Sequence, residues 1–143
     1  MSEMKHVGKK INILSHKIKR RIGKVGLEYG ISSIQAKILG YIYINSSNKD
    51  IFQKTIEEEF DIRRSSVTSV LTLMEKNELI KRVSVSEDAR LKKIILTEKG
   101  IEVNKLVYKE IISIEKTISK LLSEEELDTF IYNLDKLIKN ICD

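Results

Sequence analysis

The sequence of 143 residues contains no proline or tryptophan, and only one cysteine, two histidines and six glycines. With so few residues that break helices, the composition favours a helix-rich chain. The single cysteine, Cys142, excludes an internal disulfide and a cysteine-based metal site, so we expect a cytoplasmic protein. No apolar run reaches the roughly 18 residues of a membrane span, and the N-terminus lacks the apolar core of a secretory signal.

Catalytic groups are equally scarce. The only histidines are His6 and His16, and the sequence contains no nucleophile beside a base and no metal-ligand spacing. The segment GKVGLEYG is rich in glycine, but it lacks the strand and helix context that a phosphate-binding loop needs. We therefore expect neither an enzyme nor a bound cofactor or metal ion.

Charge is distributed unevenly along the chain. Residues 1–25 carry a net charge of +7 and residues 62–95 a net charge of +4, whereas residues 98–143 carry −3. A basic middle and an acidic C-terminal third indicate a protein that meets a polyanion with one part of its surface. Lysine-rich surfaces are also common in soluble proteins, so charge alone leaves both interpretations open.

Apolar residues recur every three or four positions in six stretches, which is the spacing of one helix face. Between the fourth and fifth stretches, two short alternating segments predict strands joined by a charged tip at residues 87–90. The predicted fold is mainly α, with a small two- to three-stranded antiparallel β wing. The predicted helices span about residues 9–25, 33–44, 53–60, 64–77, 98–122 and 124–141, and the strands span residues 81–86 and 91–96.

Local signals mark where the helices begin and end. Two glycines flank a short break at residues 26–30, after the first helix. Asn77 is predicted to end the fourth helix in the left-handed conformation that asparagine tolerates. Residues that cap helix N-termini precede three helices: Ser32 or Ser33, Thr97, and Ser123 with Glu126 three positions later.

The fourth helix has an unusual polar surface. Five hydroxyl residues crowd into eight positions, although serine and threonine are poor helix formers. Short hydroxyl side chains let a helix approach a phosphate or a base edge and donate to it. With a helix and a tight turn before it and a hairpin after it, this helix predicts a winged helix-turn-helix; an idle hydroxyl-rich helix is the alternative. The hydroxyl residues are Ser65, Ser66, Thr68, Ser69 and Thr72.

Three amphipathic helices, the first, fifth and sixth, lie outside this module. A small winged module cannot cover three apolar stripes, so we predict that two copies of the chain pack across a two-fold axis. A monomer in which these helices fold back on their own module is the competing hypothesis.

Three short motifs together carry a resemblance to a known family. They are Asp88-Ala89-Arg90 with Leu96-Thr97-Glu98-Lys99-Gly100, then Ser65-Ser66-Val67-Thr68, then Met74-Glu75 followed by Leu79-Ile80. In this order and spacing the chain resembles the MarR (multiple antibiotic resistance regulator) family of bacterial transcription factors over nearly its whole length. The sequence departs from the family pattern at Ser69, where many members carry arginine, at Arg63, where a capping serine is usual, and at Glu78, where glycine is usual.

The resemblance implies a homodimer that binds a pseudo-palindromic site on double-stranded DNA. Residues 1–30 and 101–143 would pair the two copies, and residues 31–100 would form the winged helix-turn-helix. The fourth helix would enter the major groove, and Arg90, oriented by Asp88, would enter the flanking minor groove. Such proteins usually repress transcription, and many release DNA when a small aromatic or phenolic effector binds.

The residues that we expect to act fall into four groups. Two alternatives stay open. A winged module that contacts protein is the alternative to DNA binding, and the acidic run Glu57–Glu59 favours it. Tyrosines that only pack in the core are the alternative to an effector pocket. The recognition helix would use Arg63, Arg64, Ser65, Ser66, Thr68 and Ser69; the wing Asp88, Arg90 and Lys92; contacts to the DNA backbone Gln53 and Arg82; and an effector pocket His16, Tyr41 and Tyr108.

Overall fold

The computed structural model of the chain describes residues 3–85 and 87–141. Across these residues it contains six α-helices and one two-stranded antiparallel sheet, so the predicted fold of mainly α elements with a β wing is confirmed. Cys142 lies outside the described residues. The elements in chain order are α1 (Val7–Tyr29), α2 (Ser33–Asn45), α3 (Gln53–Phe60), α4 (Arg64–Lys76), β1 (Ile80–Val85), β2 (Asp88–Leu96), α5 (Glu98–Leu121) and α6 (Glu124–Asn140).

The chain divides into two compact units, Met1–Glu110 and Ile111–Asp143, and α5 begins in the first and ends in the second. All the elements of the predicted winged module lie in the first unit. The assignment of residues 1–30 and 101–143 to the pairing of two copies stays a prediction. Among the described residues, no helix is long and apolar enough to cross a membrane.

The core of the first unit is built from the helix faces that the apolar spacing predicts. In α4, Val67, Leu71 and Met74 are buried because positions i, i+4 and i+7 lie on one side of a helix. Ile80 of β1 and Ile94 of β2 are buried as well, so the wing also contributes to the core. Burying a side chain of this size stabilises the fold by about 2 kcal/mol. This packing fixes one face of α4 inside and leaves its hydroxyl face to solvent.

Three helices end in the same way, with one residue in the left-handed backbone conformation. In each case the amide of the following residue donates back to the carbonyl oxygen five positions earlier, which is the Schellman arrangement. A residue other than glycine pays roughly 1–2 kcal/mol for this conformation. The three left-handed residues are Gly30 (φ 68°), Asp61 (φ 50°) and Glu78 (φ 62°), and the returning bonds measure 3.0 Å from Ile31, 3.0 Å from Ile62 and 2.9 Å from Leu79.

Two predicted helix ends are wrong. The first helix runs on to Tyr29 because Gly26 is accommodated within it and the chain reverses only at Gly30. Asn77 has a φ of −83°, so it is not left-handed, and that conformation falls on the next residue, Glu78. The reversal comes there because Leu79, which is 1% exposed, must turn directly into the core.

The wing is a regular hairpin near its base and irregular near its tip. Its register runs from Ile80 opposite Leu96 to Ser84 opposite Lys92, and the pairing shifts between Ser84 and Val85. Because β2 begins at Asp88, residues 88–90 belong to the strand rather than to the predicted tip.

The C-terminal end of α4 is joined to the N-terminal end of α5. Lys99 Nζ donates to the Asn77 carbonyl oxygen at 3.0 Å, and the Thr97 hydroxyl donates to the carbonyl oxygen of Glu78. The Thr97 amide donates to the Leu79 carbonyl oxygen at 3.1 Å. Three carbonyl groups at the foot of α4 are therefore satisfied by two side chains and one amide.

The motif L-T-x-x-G has a physical explanation at this junction. Thr97 Oγ1 accepts the Gly100 amide at 3.0 Å, which confirms Thr97 as the cap of α5. A Cβ atom on Gly100 would overlap the Leu79 carbonyl oxygen. Glycine is therefore the residue that allows α4 and α5 to approach this closely.

The other predicted caps are also found. At α2 the cap is Ser32, whose hydroxyl accepts the Gln35 amide at 3.4 Å. At α6, Ser123 Oγ accepts the Glu126 amide at 3.1 Å and Glu126 Oε1 accepts the Ser123 amide at 3.0 Å, which confirms the capping box. The hydrogen bond from the Ser123 amide favours the charged carboxylate and so lowers the pKa of Glu126 below its ordinary value.

Candidate nucleic-acid interface

The N-terminus of α4 has no side-chain cap. Arg63 stands in the capping position, and its side chain makes no hydrogen bond there. The first bond of the helix runs from the Val67 amide to the Arg63 carbonyl oxygen at 3.1 Å. The amides of Arg64, Ser65 and Ser66 therefore have no intrahelical acceptor. Open amides at the positive end of a helix dipole favour an anionic ligand.

The exposed face of α4 carries the predicted hydroxyl residues. The side chains of Ser65, Ser66, Thr68 and Ser69 are all exposed. Gln53, the first residue of α3, donates from Nε2 to Thr68 Oγ1 at 2.7 Å, so the two helices of the helix-turn-helix are tied at this point. The face that the sequence predicted to meet DNA is therefore accessible.

A cleft of about 550 Å³ brings three elements of the module together. Arg64 from α4 and Arg90 from β2 line it, and with them Gln53, Lys54 and Glu57 from α3. Three cationic side chains face one acidic side chain, and the uncapped N-terminus of α4 lies beside them. The arrangement suits a phosphate group, since guanidinium and ammonium groups donate several hydrogen bonds to its oxygens.

The wing presents its arginine to solvent. The Arg90 amide donates to Asp88 Oδ1 at 3.0 Å, and Arg90 Nε lies 3.6 Å from the same oxygen. The Arg90 side chain is 95% exposed, so this pair orients the arginine without burying it. Exposed ion pairs contribute little to stability, and the contact is better explained as positioning.

Two other predicted contacts lie outside the cleft. Arg82 is half-buried in a separate groove, where its Nε lies 3.9 Å from Glu75 Oε2. Lys92 is exposed on β2, opposite Ser84. Their roles toward DNA stay predictions.

Lys54 and Glu57 line the cleft, although the sequence did not single them out as site residues. The only sequence signal for Lys54 was its position directly after Gln53, a predicted DNA contact, in the first turn of α3. Placing α3 against β2 requires tertiary structure, since Lys54 and Arg90 are far apart in sequence.

The predicted effector residues are not brought together in either cleft described above. Tyr41 packs edge-on against Phe60 with ring centroids 5.9 Å apart, and Lys49 Nζ lies 5.4 Å from the Tyr41 ring. His16 and Tyr108 are exposed on α1 and α5. Among residues 3–85 and 87–141, no cluster of three or more His, Cys, Asp or Glu residues could hold a metal ion.

Residues 29–91, from the end of α1 to the wing, match the model of the MarR family. This match covers less than half of the chain, and over these residues the chain is similar to the MarR family. A crystal structure of a MepR–DNA complex from S. aureus is 26% identical, has a TM-score of 0.86, and covers 96% of this chain and 98% of its own. The transcription regulator MarR from Oenococcus oeni is 26% identical, has a TM-score of 0.82, and covers 94% of this chain and 99% of its own.

The fold of the MarR family extends to more distant relatives. Apo MarR from E. coli is 19% identical, with a TM-score of 0.69 over 95% of this chain and 98% of its own, and it supports the fold alone. No curated protein matched the sequence. MepR of S. aureus and MarR of O. oeni are both transcription regulators.

Proposed function

We propose that this chain is a transcriptional regulator that binds a specific sequence of double-stranded DNA. The observation that carries the proposal is the cleft where Lys54, Arg64 and Arg90 meet beside the uncapped N-terminus of α4. The 26% identical S. aureus MepR was crystallised with DNA, which supports the same class of partner for this chain.

In the proposed mechanism, one set of residues provides sequence specificity and another provides affinity. α4 enters the major groove, where Ser65 and Ser66 reach base edges, with Arg63 flanking them. Arg64, Lys54 and the open amides of α4 bind phosphates, which gives an affinity that falls as salt rises. Arg90 enters the flanking minor groove, where a narrow groove concentrates negative potential.

The test is the substitution Arg90→Ala, measured on an operator selected from random duplex DNA. We expect the affinity to fall about tenfold. The slope of the logarithm of the binding constant against the logarithm of the salt concentration should become shallower by about one, as for the loss of one arginine contact. The control is Lys9→Ala, which removes an exposed cation from α1 and should leave binding unchanged. Equal affinity of Arg90→Ala and the unmodified protein at moderate salt would rule out the wing contact.

A second candidate function is a winged module that binds protein without reading DNA. The observation that favours it is Glu57, whose carboxylate lies in the cleft and would repel a phosphate. Titration with an unselected duplex separates the two functions. Binding that weakens steeply with salt supports the DNA-binding regulator, and no binding to any duplex at low salt supports the protein-binding module.

We propose further that the chain acts as a homodimer. α6 buries none of its residues although its apolar side chains share one face, and Ile138 is 74% exposed. In α1 only Ile22 and Gly26 are buried, so its N-terminal half also leaves apolar side chains uncovered. α1 carries seven Lys or Arg against one acid, and α6 carries five acids against two lysines. This complementary charge supports packing of α1 of one copy near α6 of the other.

The dimer is tested by sedimentation and light scattering. We expect a mass of about 33 kDa, twice the 16.5 kDa of the chain. Ile138→Lys should shift the equilibrium to the monomer, because a charge on the apolar face cannot be buried unpaired. Thr129→Lys, on the opposite face of α6 by helical spacing, is the control and should remain a dimer.

The family resemblance supports three finer proposals: repression, a pseudo-palindromic operator, and release by a small aromatic or phenolic effector. For the effector, His16, Tyr41 and Tyr108 remain the proposed residues, although the contact of Tyr41 with Phe60 supports simple packing instead. Titration with salicylate-like compounds is the test. A rise in melting temperature with loss of DNA binding supports the sensor, and the absence of both counts against it.

A further inference from the structure

The hydroxyl groups on the exposed face of α4 differ in the hydrogen bonds that they can still make with a ligand. A serine or threonine hydroxyl has one hydrogen to donate and two lone pairs to accept. Thr68 Oγ1 lies 2.9 Å from the Arg64 carbonyl oxygen, and Ser69 Oγ lies 3.2 Å from the Ser65 carbonyl oxygen. Both hydroxyls therefore donate within the helix. Across the described part of the chain, the hydroxyls of Ser65 and Ser66 have no such partner.

Thr68 is held more firmly than Ser69, because a second residue fixes its hydroxyl. Gln53 Nε2 donates to Thr68 Oγ1 at 2.7 Å and also lies 3.5 Å from the Arg64 carbonyl oxygen. The amide hydrogen takes one lone pair of Oγ1 and repels the hydroxyl hydrogen, which then points to the Arg64 carbonyl oxygen. One lone pair and the methyl group of Thr68 stay free toward solvent.

We propose that Gln53 is a positioning residue that makes Thr68 an acceptor only. This inference rests on the proposed function and deepens it. In the major groove, adenine N6 and cytosine N4 are donors, whereas guanine O6 and N7 and thymine O4 are acceptors. Thr68 therefore selects adenine or cytosine at the base that it contacts. Ser65 and Ser66 keep their hydrogen and carry no such restriction.

The decisive variant is Thr68→Val, which keeps the shape of the side chain and removes the hydroxyl. Selection from random duplex DNA is carried out with the unmodified protein and with this variant. We expect the preference for adenine or cytosine at one position of each half-site to fall about fivefold, the effect of one hydrogen bond. Thr72→Val, the same change elsewhere on α4, is the matched control and should leave that position unchanged.

Gln53→Leu tests the positioning role separately. Without the amide donor, the Thr68 hydroxyl is free to turn and donate, so guanine and thymine should become acceptable at the same position. Loss of a backbone contact by Gln53, or a structural defect, would weaken binding to every duplex equally and would leave the base preference at this position unchanged. In the Thr68→Val background, Gln53→Leu should have no further effect on base preference.

The outcomes separate this inference from the proposed function. A protein that selects no sequence overturns both. A protein that selects an operator, but whose Thr68→Val variant keeps every preference or loses one for guanine or thymine, overturns the role of Thr68 alone. If Gln53→Leu fails to fold by circular dichroism, Thr68→Val still decides the question, because its change is confined to an exposed side chain.

Discussion

The two ends of α4 differ in whether their backbone groups have hydrogen-bond partners. At the C-terminal end, the Schellman turn satisfies the carbonyl group of Met74, and Thr97 and Lys99 satisfy those of Asn77, Glu78 and Leu79. At the N-terminal end, Arg63 supplies no cap, and the first amides of the helix stay open. The chain can cap a helix N-terminus well, since Ser123 and Glu126 do so for α6. One end of α4 is therefore anchored by the protein itself, whereas the first amides at the other end have no acceptor within the helix.

The largest effect should come from breaking the anchored end with Gly100→Ala. The new Cβ would overlap the Leu79 carbonyl oxygen and force apart its bond with the Thr97 amide. We expect a loss of about 2–3 kcal/mol in the free energy of unfolding, as for overpacking in a core. Urea denaturation measures it.

Gly23→Ala is the control for this substitution. A Cβ on Gly23 meets nothing within 4 Å, so the helix should gain stability or keep it. Equal stability of Gly100→Ala and the unmodified protein would mean that the junction of α4 and α5 can relax freely.

The open end is tested by closing it with Arg63→Ser. Compared with Arg63→Ala, which removes the same charge, the serine variant should be about 1 kcal/mol more stable because its hydroxyl can cap α4. It should nevertheless bind DNA about fivefold more weakly than Arg63→Ala, because one amide is no longer free for a phosphate. Urea denaturation and fluorescence anisotropy give the two values. Tighter DNA binding by the serine variant would show that the open amides make no contact with DNA.

Glu78→Gly should strengthen the anchored end slightly. Glu78 has a φ of 62°, which is strained for a residue with a Cβ atom. Glycine removes this strain, and we expect a gain of about 1 kcal/mol in the free energy of unfolding. A matched change at Glu75, which is inside α4, should reduce stability instead. A Glu78→Gly variant less stable than the unmodified protein would contradict this assignment of strain.

The smallest effect is the pH dependence of stability at the N-terminus of α6, which is capped by side chains, unlike the N-terminus of α4. The folded pKa of Glu126 is lowered by the Ser123 amide, so its contribution is fully present above the ordinary pKa of 4.5 and is lost as pH falls below it. Between pH 6 and pH 3, the unmodified protein should therefore lose more stability than Glu126→Gln. Identical pH dependence of the two proteins would show that the capping box does not respond to pH.

Sequence periodicity was enough for most of the fold. Apolar residues at helical spacing locate α2, α3, α4, α5 and α6 to within one or two residues, because burial of one face decides where a helix packs. The errors at Gly26 and Asn77 arose where a helix end depends on tertiary packing. Whether a helix ends at a glycine or continues through it depends on whether the residues that follow must turn into the core.

The candidate site was predictable in part. Arg64 and Arg90 stand at positions that the recognition helix and the wing fix by local pattern. Arg82 was predicted as a contact to the DNA backbone, and its proximity to Glu75 depends on how the strand faces α4. The hydrogen bond of Gln53 to Thr68 could not be predicted, because it joins residues 15 positions apart through the turn between two helices.

The anchored junction has a consequence for how a distant change could move the N-terminal end of α4. α4 has 13 residues and is about 20 Å long, so a tilt of about 3° about its held foot displaces its far end by about 1 Å. A displacement of that size lengthens a 2.9 Å hydrogen bond beyond its useful range. Through Thr97, which bonds the carbonyl groups at the C-terminal end of α4, a small rotation in the first turn of α5 would displace the N-terminal end of α4 without any molecule touching it.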